Sequence, residues 1–216
     1  MTRPVKNSAG LATRNPERSR ERILAAALKE FAAKGFAGAR VDSIARRAAI
    51  NKRMLYHYFG SKEGLFKAVL RRKITERQAW AETLSGDPAE SLAFWFEAAC
   101  SDTDWVRLLE WEALQEADHR LIDEKNRRAA TARGLERVRQ RQARGQISAE
   151  FDPRHIMLAM RSLTMFPVAF PQMTRLITGR SVSDPKFQKE RAEFLHRFAA
   201  AFRPAHGNRV KINFVK

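Results

Sequence analysis

The chain of 216 residues has one cysteine, Cys100. An intramolecular disulfide is therefore excluded, and a reducing, cytoplasmic setting is expected. No second thiol is present to resolve a sulfenic acid, so Cys100 reads as a small apolar residue on a helix rather than a redox sensor. The five histidines stand at 57, 119, 155, 196 and 206, and no two have the i, i+4 spacing of a helical metal site, so no metal is expected. A glycine-rich phosphate loop and a nucleophile elbow are both missing. Glu110 and Glu112 do not share a helical face, so they make no carboxylate pair. Enzymatic readings therefore find no support, and no cofactor is implied. The longest apolar stretch, Ile156–Met173, is interrupted by Arg161, Pro167, Pro171 and Gln172, which excludes a membrane span. The first fifteen residues lack the apolar core of a signal peptide. Alternation with period two is absent outside a short tail carrying Val210, Ile212 and Phe214, so the expected fold class is all-α.

Acidic residues are also scarce: 24 Asp+Glu against 41 Lys+Arg, a formal net charge of +17. The imbalance is concentrated. Residues 1–72 hold 17 Lys+Arg and 5 Asp+Glu, whereas residues 73–216 hold 24 and 19. A basic N-terminal third beside a nearly balanced remainder points to a polyanionic partner for the former.

Residues 41–66, VDSIARRAAINKRMLYHYFGSKEGLF, are the most informative. Val41, Ile44, Ala45 and Ala48 follow i, i+3, i+4, i+7 and so share one face of a helix over about 41–48. Ala49, Ile50 and Asn51 make a turn, with Asn51 as the N-cap of a second helix over about 52–59. Leu55 and Phe59 face inward on that helix, while Lys52, Arg53, Met54, Tyr56 and His57 stay outward or at its edges. Ser61 then caps a further helix with Glu63 in its first turn. Two short amphipathic helices around a tight turn form a helix-turn-helix, whose second helix enters the major groove of DNA.

The residues Ile44-Ala45, Asn51-Lys52, Leu55-Tyr56-His57-Tyr58-Phe59 and Ser61-Lys62-Glu63-Gly64-Leu65-Phe66 resemble the TetR family of one-component transcriptional regulators. So does the upstream run Arg22-Ile23-Leu24-Ala25-Ala26-Ala27 through Phe31 to Lys34-Gly35-Phe36. The resemblance covers about residues 20–70. Three positions depart from the usual pattern: Ala39 where a Thr often caps, Ala49 where a turn Gly is common, and Arg53 where the recognition helix often has a small residue. The third suggests a base preference of this chain's own. The resemblance implies a homodimer whose later helices enclose a ligand cavity.

Along the chain, residues 1–14 read as a basic arm and residues 15–60 as the helix-turn-helix DNA-binding domain. Residues 61–203 read as a helical effector-binding and dimerisation domain, and 204–216 as a tail. Asn15 and Pro16 open the first helix, and Gly35 ends it. The fourth helix is expected to about Leu84. Further helices are expected over Pro88–Cys100, Thr103–Ala117, His119–Arg144, Pro153 to about Phe170 with a disturbance at Pro167, and Pro185–Phe202.

Lys52 and Arg53 lie where side chains reach base edges, and Arg can bond guanine O6 and N7 together. Met54 contacts a thymine methyl or packs inward. Tyr56 and His57 resemble family residues that bond phosphates. Lys62 lies at a helix N-terminus that already favours an anion. Arg40, and less so Arg46 and Arg47, either approach DNA or form an ordinary charged face. Arg3, Lys6, Arg14 and Arg18 enter a minor groove or add unspecific affinity. In the C-terminal part, Trp80, Phe94, Trp95, Phe96, Trp105 and Trp111 crowd into 32 residues. They either fill a core or line an apolar pocket, with Met160, Met165 and the polar groups Glu112, Arg161 and Thr164. The arginines of 127–144 read as the solvated face of a long helix. Phe194, Phe198 and Phe202 repeat at i, i+4, i+8 and, with Met157, Met160, Leu163 and Thr164, form the expected dimer face.

The sequence therefore leads to a ligand-responsive regulator, expected to be a repressor. It would sit as a homodimer on a palindromic double-stranded operator and be released by an apolar or aromatic small molecule. Two other readings stay open: an architectural or unspecific DNA-binding protein without an effector, and a ligand-binding enzyme that borrowed the motif.

Overall fold

The computed structural model describes residues 16–114 and 121–204, with the side chains of 201 and 202 left aside. The basic arm residues Arg3, Lys6 and Arg14, the tail with Val210, Ile212 and Phe214, and the side chain of Phe202 lie outside the described residues.

The first four helices are α1 (Pro16–Gly38), α2 (Val41–Arg47), α3 (Lys52–Phe59) and α4 (Lys62–Thr83). Gly35 breaks α1 with φ 68° and ψ 176°, a conformation that glycine adopts without the Cβ penalty. Ile23, Leu24, Ala27 and Phe31 of α1 meet Ile44 of α2, Leu55 of α3, and Leu65, Phe66, Val69 and Leu70 of α4 in one core. Phe66 packs edge-on against Phe31 and Phe36, at centroid distances of 4.8 and 5.3 Å. The same core includes Trp105 and Leu108 from further along the chain.

The later helices are α5 (Pro88–Ser101), α6 (Thr103–Ala113), α7 (Glu124–Ala143), α8 (Pro153–Ala169), α9 (Pro171–Thr178) and α10 (Pro185–Phe198), followed by a 3-10 turn at Ala199–Phe202. No strand occurs among the described residues. Three of these helices start with the same device. Asp87, Asp152 and Asp184 each precede a proline and accept a backbone N–H two residues on, from Ala89, Arg154 and Lys186. α5 packs on α10 through Leu92, Phe96, Phe187 and Leu195. Val138, Ile147 and Ile156 close the corner between α7 and α8. α6 lies along α1, joining the two halves of the molecule.

Four differences from the sequence reading have physical causes. α6 ends at Ala113, where an extension to Ala117 was expected, and residues 115–120 lie outside the described residues. α7 begins at Glu124, not His119, because Asp123 takes a left-handed turn (φ 58°). Arg71 grips the Asp123 carboxylate with two hydrogen bonds of 2.8 and 2.9 Å. The helix α9 went unread: the chain bends at Phe170 (φ −121°, ψ 65°) and Pro171 restarts it. The last expected helix leaves α-geometry after Phe198.

Candidate DNA-binding and effector sites

The recognition helix α3 is held from both ends. The Asn51 side chain accepts the Met54 N–H at 2.9 Å, and Ser61 accepts the Gly64 N–H at 2.9 Å at the start of α4. Gly64 is there because the chain passes so closely: a Cβ on it would stand 2.1 Å from the Phe59 carbonyl oxygen. Ala49 keeps the turn but at φ 51°, a left-handed conformation that costs a residue with a Cβ about 1–2 kcal/mol.

A buried carboxylate, missed by the sequence reading, fixes the corner between α1 and α2. Glu30 is 2% exposed. It accepts from Lys34 Nζ at 3.0 Å, Ser43 Oγ at 2.9 Å and the Arg40 backbone N–H at 3.3 Å. Burial alone would raise its pKa, but these three donors outweigh it and hold the carboxyl below its ordinary value. The only hint in the sequence was an acid on the inner stripe of α1.

Arg40, Lys52, Arg53, Tyr56 and His57 are all exposed, and Met54 is half-buried at the helix edge. Arg53 pairs with no carboxylate among the described residues, whereas Lys52 lies 2.9 Å from Asp42. That hydrogen bond and charge raise the Lys52 pKa. Lys62 donates to the Ala37 carbonyl at 3.1 Å and sits 5.0 Å over the Phe36 ring. It thus ties the end of α1 to the start of α4. Arg46 and Arg47 on α2 are both exposed.

In the C-terminal part the structure brings only some of the expected residues together. Phe94 lies edge-on to Trp80 and Trp95, at 6.2 and 5.3 Å. The Arg77 guanidinium stands over the rings of Trp80, Trp95 and Trp105 at 5.7, 5.2 and 5.5 Å. Asp102 holds Arg77 at 3.3 Å and Lys73 at 2.8 Å. Lys73 also reaches Glu76 at 2.7 Å. Glu112 pairs with Arg127 at 2.5 Å. Burial, opposed by Asp102 and aided by the like charge of Arg161, lowers the Arg77 pKa. Burial and then the charge of Arg127 lower that of Arg161.

Other expected lining residues go elsewhere. Trp111 donates its indole N–H to the Ala32 carbonyl at 3.1 Å and covers Gly35, so it grips α1. Trp105 is buried in the core shared with α1–α4. The Thr164 hydroxyl donates back to the Met160 carbonyl at 2.8 Å within its own helix. Met160 fills the space between the α5–α10 and α7–α8 clusters, and Met165 packs beside Ala99, Val106 and Val168. The solvated reading of 127–144 suits Arg128, Arg133, Arg139 and Arg144, but Arg127, Arg137 and Arg141 are half-buried. Arg77 and Lys73 were missed although they interrupt the inner stripe of α4 at i and i+4. A separate cleft of about 610 Å³ lies between Phe36, Glu63 and Lys67 on one side and residues 121–125 on the other. Its charged walls are unlike the expected apolar pocket. Burial and then Glu97 push the Cys100 thiol up to about 11, so it stays protonated at neutral pH.

Two family models match the chain. One, described as bacterial regulatory proteins of the tetR family, covers residues 23–69. The other, a tetracyclin repressor-like C-terminal domain, covers residues 89–200. The HTH-type transcriptional repressor SCO4008 of Streptomyces coelicolor is 33% identical over 173 residues, which is 78% of this chain and 88% of that protein. The chain belongs to the TetR family. The HTH-type transcriptional regulator RutR of Escherichia coli K12 is 28% identical over 91% of this chain and 96% of its own. The solved structure of the transcriptional regulator SCO4942 from Streptomyces coelicolor superposes with a TM-score of 0.71 at 28% identity, covering 86% of this chain and 98% of that one.

As a TetR-family regulator the protein has a helix-turn-helix that binds DNA, and its named relatives regulate transcription. No helix among the described residues is long and apolar enough to cross a membrane. Phe194 and Phe198 stack on one another at 5.5 Å and are 46% and 38% exposed. Leu158 and Phe166 on α8 and Met173, Leu176 and Ile177 on α9 are exposed as well.

Proposed function

We propose that this TetR-family regulator is a homodimeric repressor that sits on a palindromic operator and leaves it when a small molecule binds the C-terminal domain. Arg53 would read bases, with Lys52 and Met54 beside it. Arg40, Tyr56, His57 and Lys62 would contact or frame phosphates. Two copies joined through Phe194 and Phe198 would set two α3 helices about 34–36 Å apart in successive major grooves. Residues 15–60 would act as the DNA-binding unit and 61–203 as the effector and dimerisation unit.

The observation that carries this reading is the position of α6. Its Trp105 lies under Arg77, and its Glu112 holds Arg127. Its Trp111 is bonded to α1 at Ala32. A ligand that shifted the Arg77–Trp80–Trp95 cluster would move the helix on which the DNA-binding head rests. By linkage, such a ligand weakens DNA binding by the same factor by which DNA weakens its own binding, and couplings of about 1–3 kcal/mol are usual.

The test is anisotropy of labelled DNA drawn from the flanks of the protein's own gene, against random duplex, at fixed salt. Selective binding to a palindrome, lost on adding a small molecule, is expected. Equal affinity for random DNA with no compound effective would overturn the reading in favour of an effector-free architectural protein.

A further inference from the structure

The first residues of a recognition helix are the ones that reach base edges. In this protein a carboxylate stands beside them. Between residues 41 and 59 the chain carries Arg46, Arg47, Lys52 and Arg53 but a single acid, Asp42. Asp42 lies in the first turn of α2, and Lys52 is the first residue of α3. The Lys52 ammonium donates to Asp42 Oδ2 at 3.1 Å and stands 2.9 Å from Oδ1. The pair thus spans the turn of the motif, ten residues apart in the chain. The other acids of the head are placed elsewhere: Glu17 and Glu21 are on α1, Glu63 is on α4, and Glu30 is buried.

Both side chains are exposed, 70% for Asp42 and 48% for Lys52. An exposed pair adds little to stability. Its effect falls instead on the partner that approaches. A duplex presents a dense row of phosphates, and an acid set against it opposes binding at every sequence. A free lysine does the reverse, because it is a mobile point charge that neutralises whichever phosphate is near. Paired, Lys52 is no longer free. One ammonium proton is engaged by the carboxylate, and the other two are held to a narrower range of directions, from which acceptors such as guanine O6 and N7 can be met.

We propose that Asp42 is a specificity-determining residue of the DNA-binding head. It positions the Lys52 ammonium as a reader of base edges, and its charge keeps that ammonium from serving as an indiscriminate phosphate contact. The head gives up unspecific affinity and gains contrast between operator and random DNA. This rests on the reading of α3 as the base-reading helix and adds Asp42 to it. Asp42 also lies where a helix N-terminus favours an acid. A role confined to α2 would move stability and both DNA affinities together, whereas a role exercised through Lys52 moves the salt dependence and the base preference.

The test uses the full chain, a palindrome selected by the wild type from a pool of random duplexes, and a random duplex. Anisotropy at several salt concentrations reads affinity and salt slope, and palindromes altered one base pair at a time read preference. Asp42→Ala should raise affinity for random duplex about three- to tenfold, the effect of removing one exposed charge. It should steepen the salt slope by about 0.9 per bound subunit. Preference should fall at one position per half-site, the one that Lys52→Ala also relaxes. Asp42→Asn, which keeps an acceptor without the charge, should raise random affinity yet retain part of the preference. In a Lys52→Ala background, Asp42→Ala should leave slope and preference where Lys52→Ala set them. Unchanged slope and preference in Asp42→Ala would overturn the inference, as would the same changes in the absence of Lys52. A lowered melting temperature with both affinities reduced together would overturn it too, because Asp42 would then act on α2 alone. If Arg53→Ala shifts base preference and neither Asp42→Ala nor Lys52→Ala does, α3 still reads bases and only this inference falls. If none of the three shifts it at any position, the reading of α3 falls as well.

Discussion

The DNA-binding head and the C-terminal part use charge in opposite ways. In the head, one buried carboxylate, Glu30, is fully occupied by three donors, and the cationic side chains Arg53, Arg46 and Arg47 are left outside, in water. In the C-terminal part several cations are drawn inward. Lys73 is buried, Arg77 and Arg127 are half-buried, and each of the three faces a carboxylate. A head that must meet a fixed partner, the phosphate backbone, gains from rigid internal satisfaction and an exposed basic surface. The C-terminal part instead matches its inward cations with its own acids, Asp102, Glu76 and Glu112. The comparison teaches that mean net charge says little until each charge has been placed.

The contrast can be broken most sharply at Gly64. A Cβ there would collide with the Phe59 carbonyl, with no flexible side chain to give way. Gly64→Ala should cost more than about 3 kcal/mol and abolish operator binding. Urea denaturation followed by circular dichroism would measure the loss.

Glu30→Ala should cost about 3 kcal/mol, since it leaves Ser43, Lys34 and the Arg40 N–H unmatched. The sign of the pH effect follows from the lowered folded pKa. The contribution of Glu30 is fully present above the ordinary carboxylate pKa and is lost as pH falls through the lower folded value. The wild type should thus lose stability on acidification below about pH 4.5, the ordinary value, more steeply than Glu30→Gln. Melting temperatures from pH 7 down to 3 would check this.

Phe198→Glu acts on the other half. A charge placed in the proposed apolar contact between two copies should give monomers, because burying it unpaired is costly. Operator affinity should fall about a hundredfold, as two half-sites can no longer be held at once. Sedimentation velocity beside anisotropy would separate this from unfolding.

Arg53→Ala should leave stability unchanged and cost about 1–3 kcal/mol on the best operator, with relaxed preference at one position per half-site. Binding to operators altered one base pair at a time would measure it. The smallest effect belongs to Ala49→Gly. Relief of the left-handed strain, less the entropy glycine adds to the unfolded chain, should stabilise the protein by about 0.5–1 kcal/mol. A shift of a few degrees in Tm with unchanged DNA affinity is the expected readout.

The sequence by itself determined the head and the all-α class. The signals there are local: the periods of Val41–Ala48, the Asn51 and Ser61 caps, the break at Gly35, and the helix starts at Pro88, Pro153 and Pro185 all act within one or two helical turns. A single sequence displays such relations directly, and the structure reproduces them. Only the tertiary structure decided where the aromatic residues go. Trp80, Phe94, Trp95, Trp105 and Trp111 look alike in the sequence, yet the first three pack on one another, Trp105 enters the core shared with the head, and Trp111 bonds Ala32 79 residues away. The same holds for charge. Whether an arginine on α7 is a solvated side chain or a partner of Glu112 depends on where α6 lies, and no periodicity within α7 records that. Burial of a cation is a property of its surroundings, set by packing between segments distant in the chain.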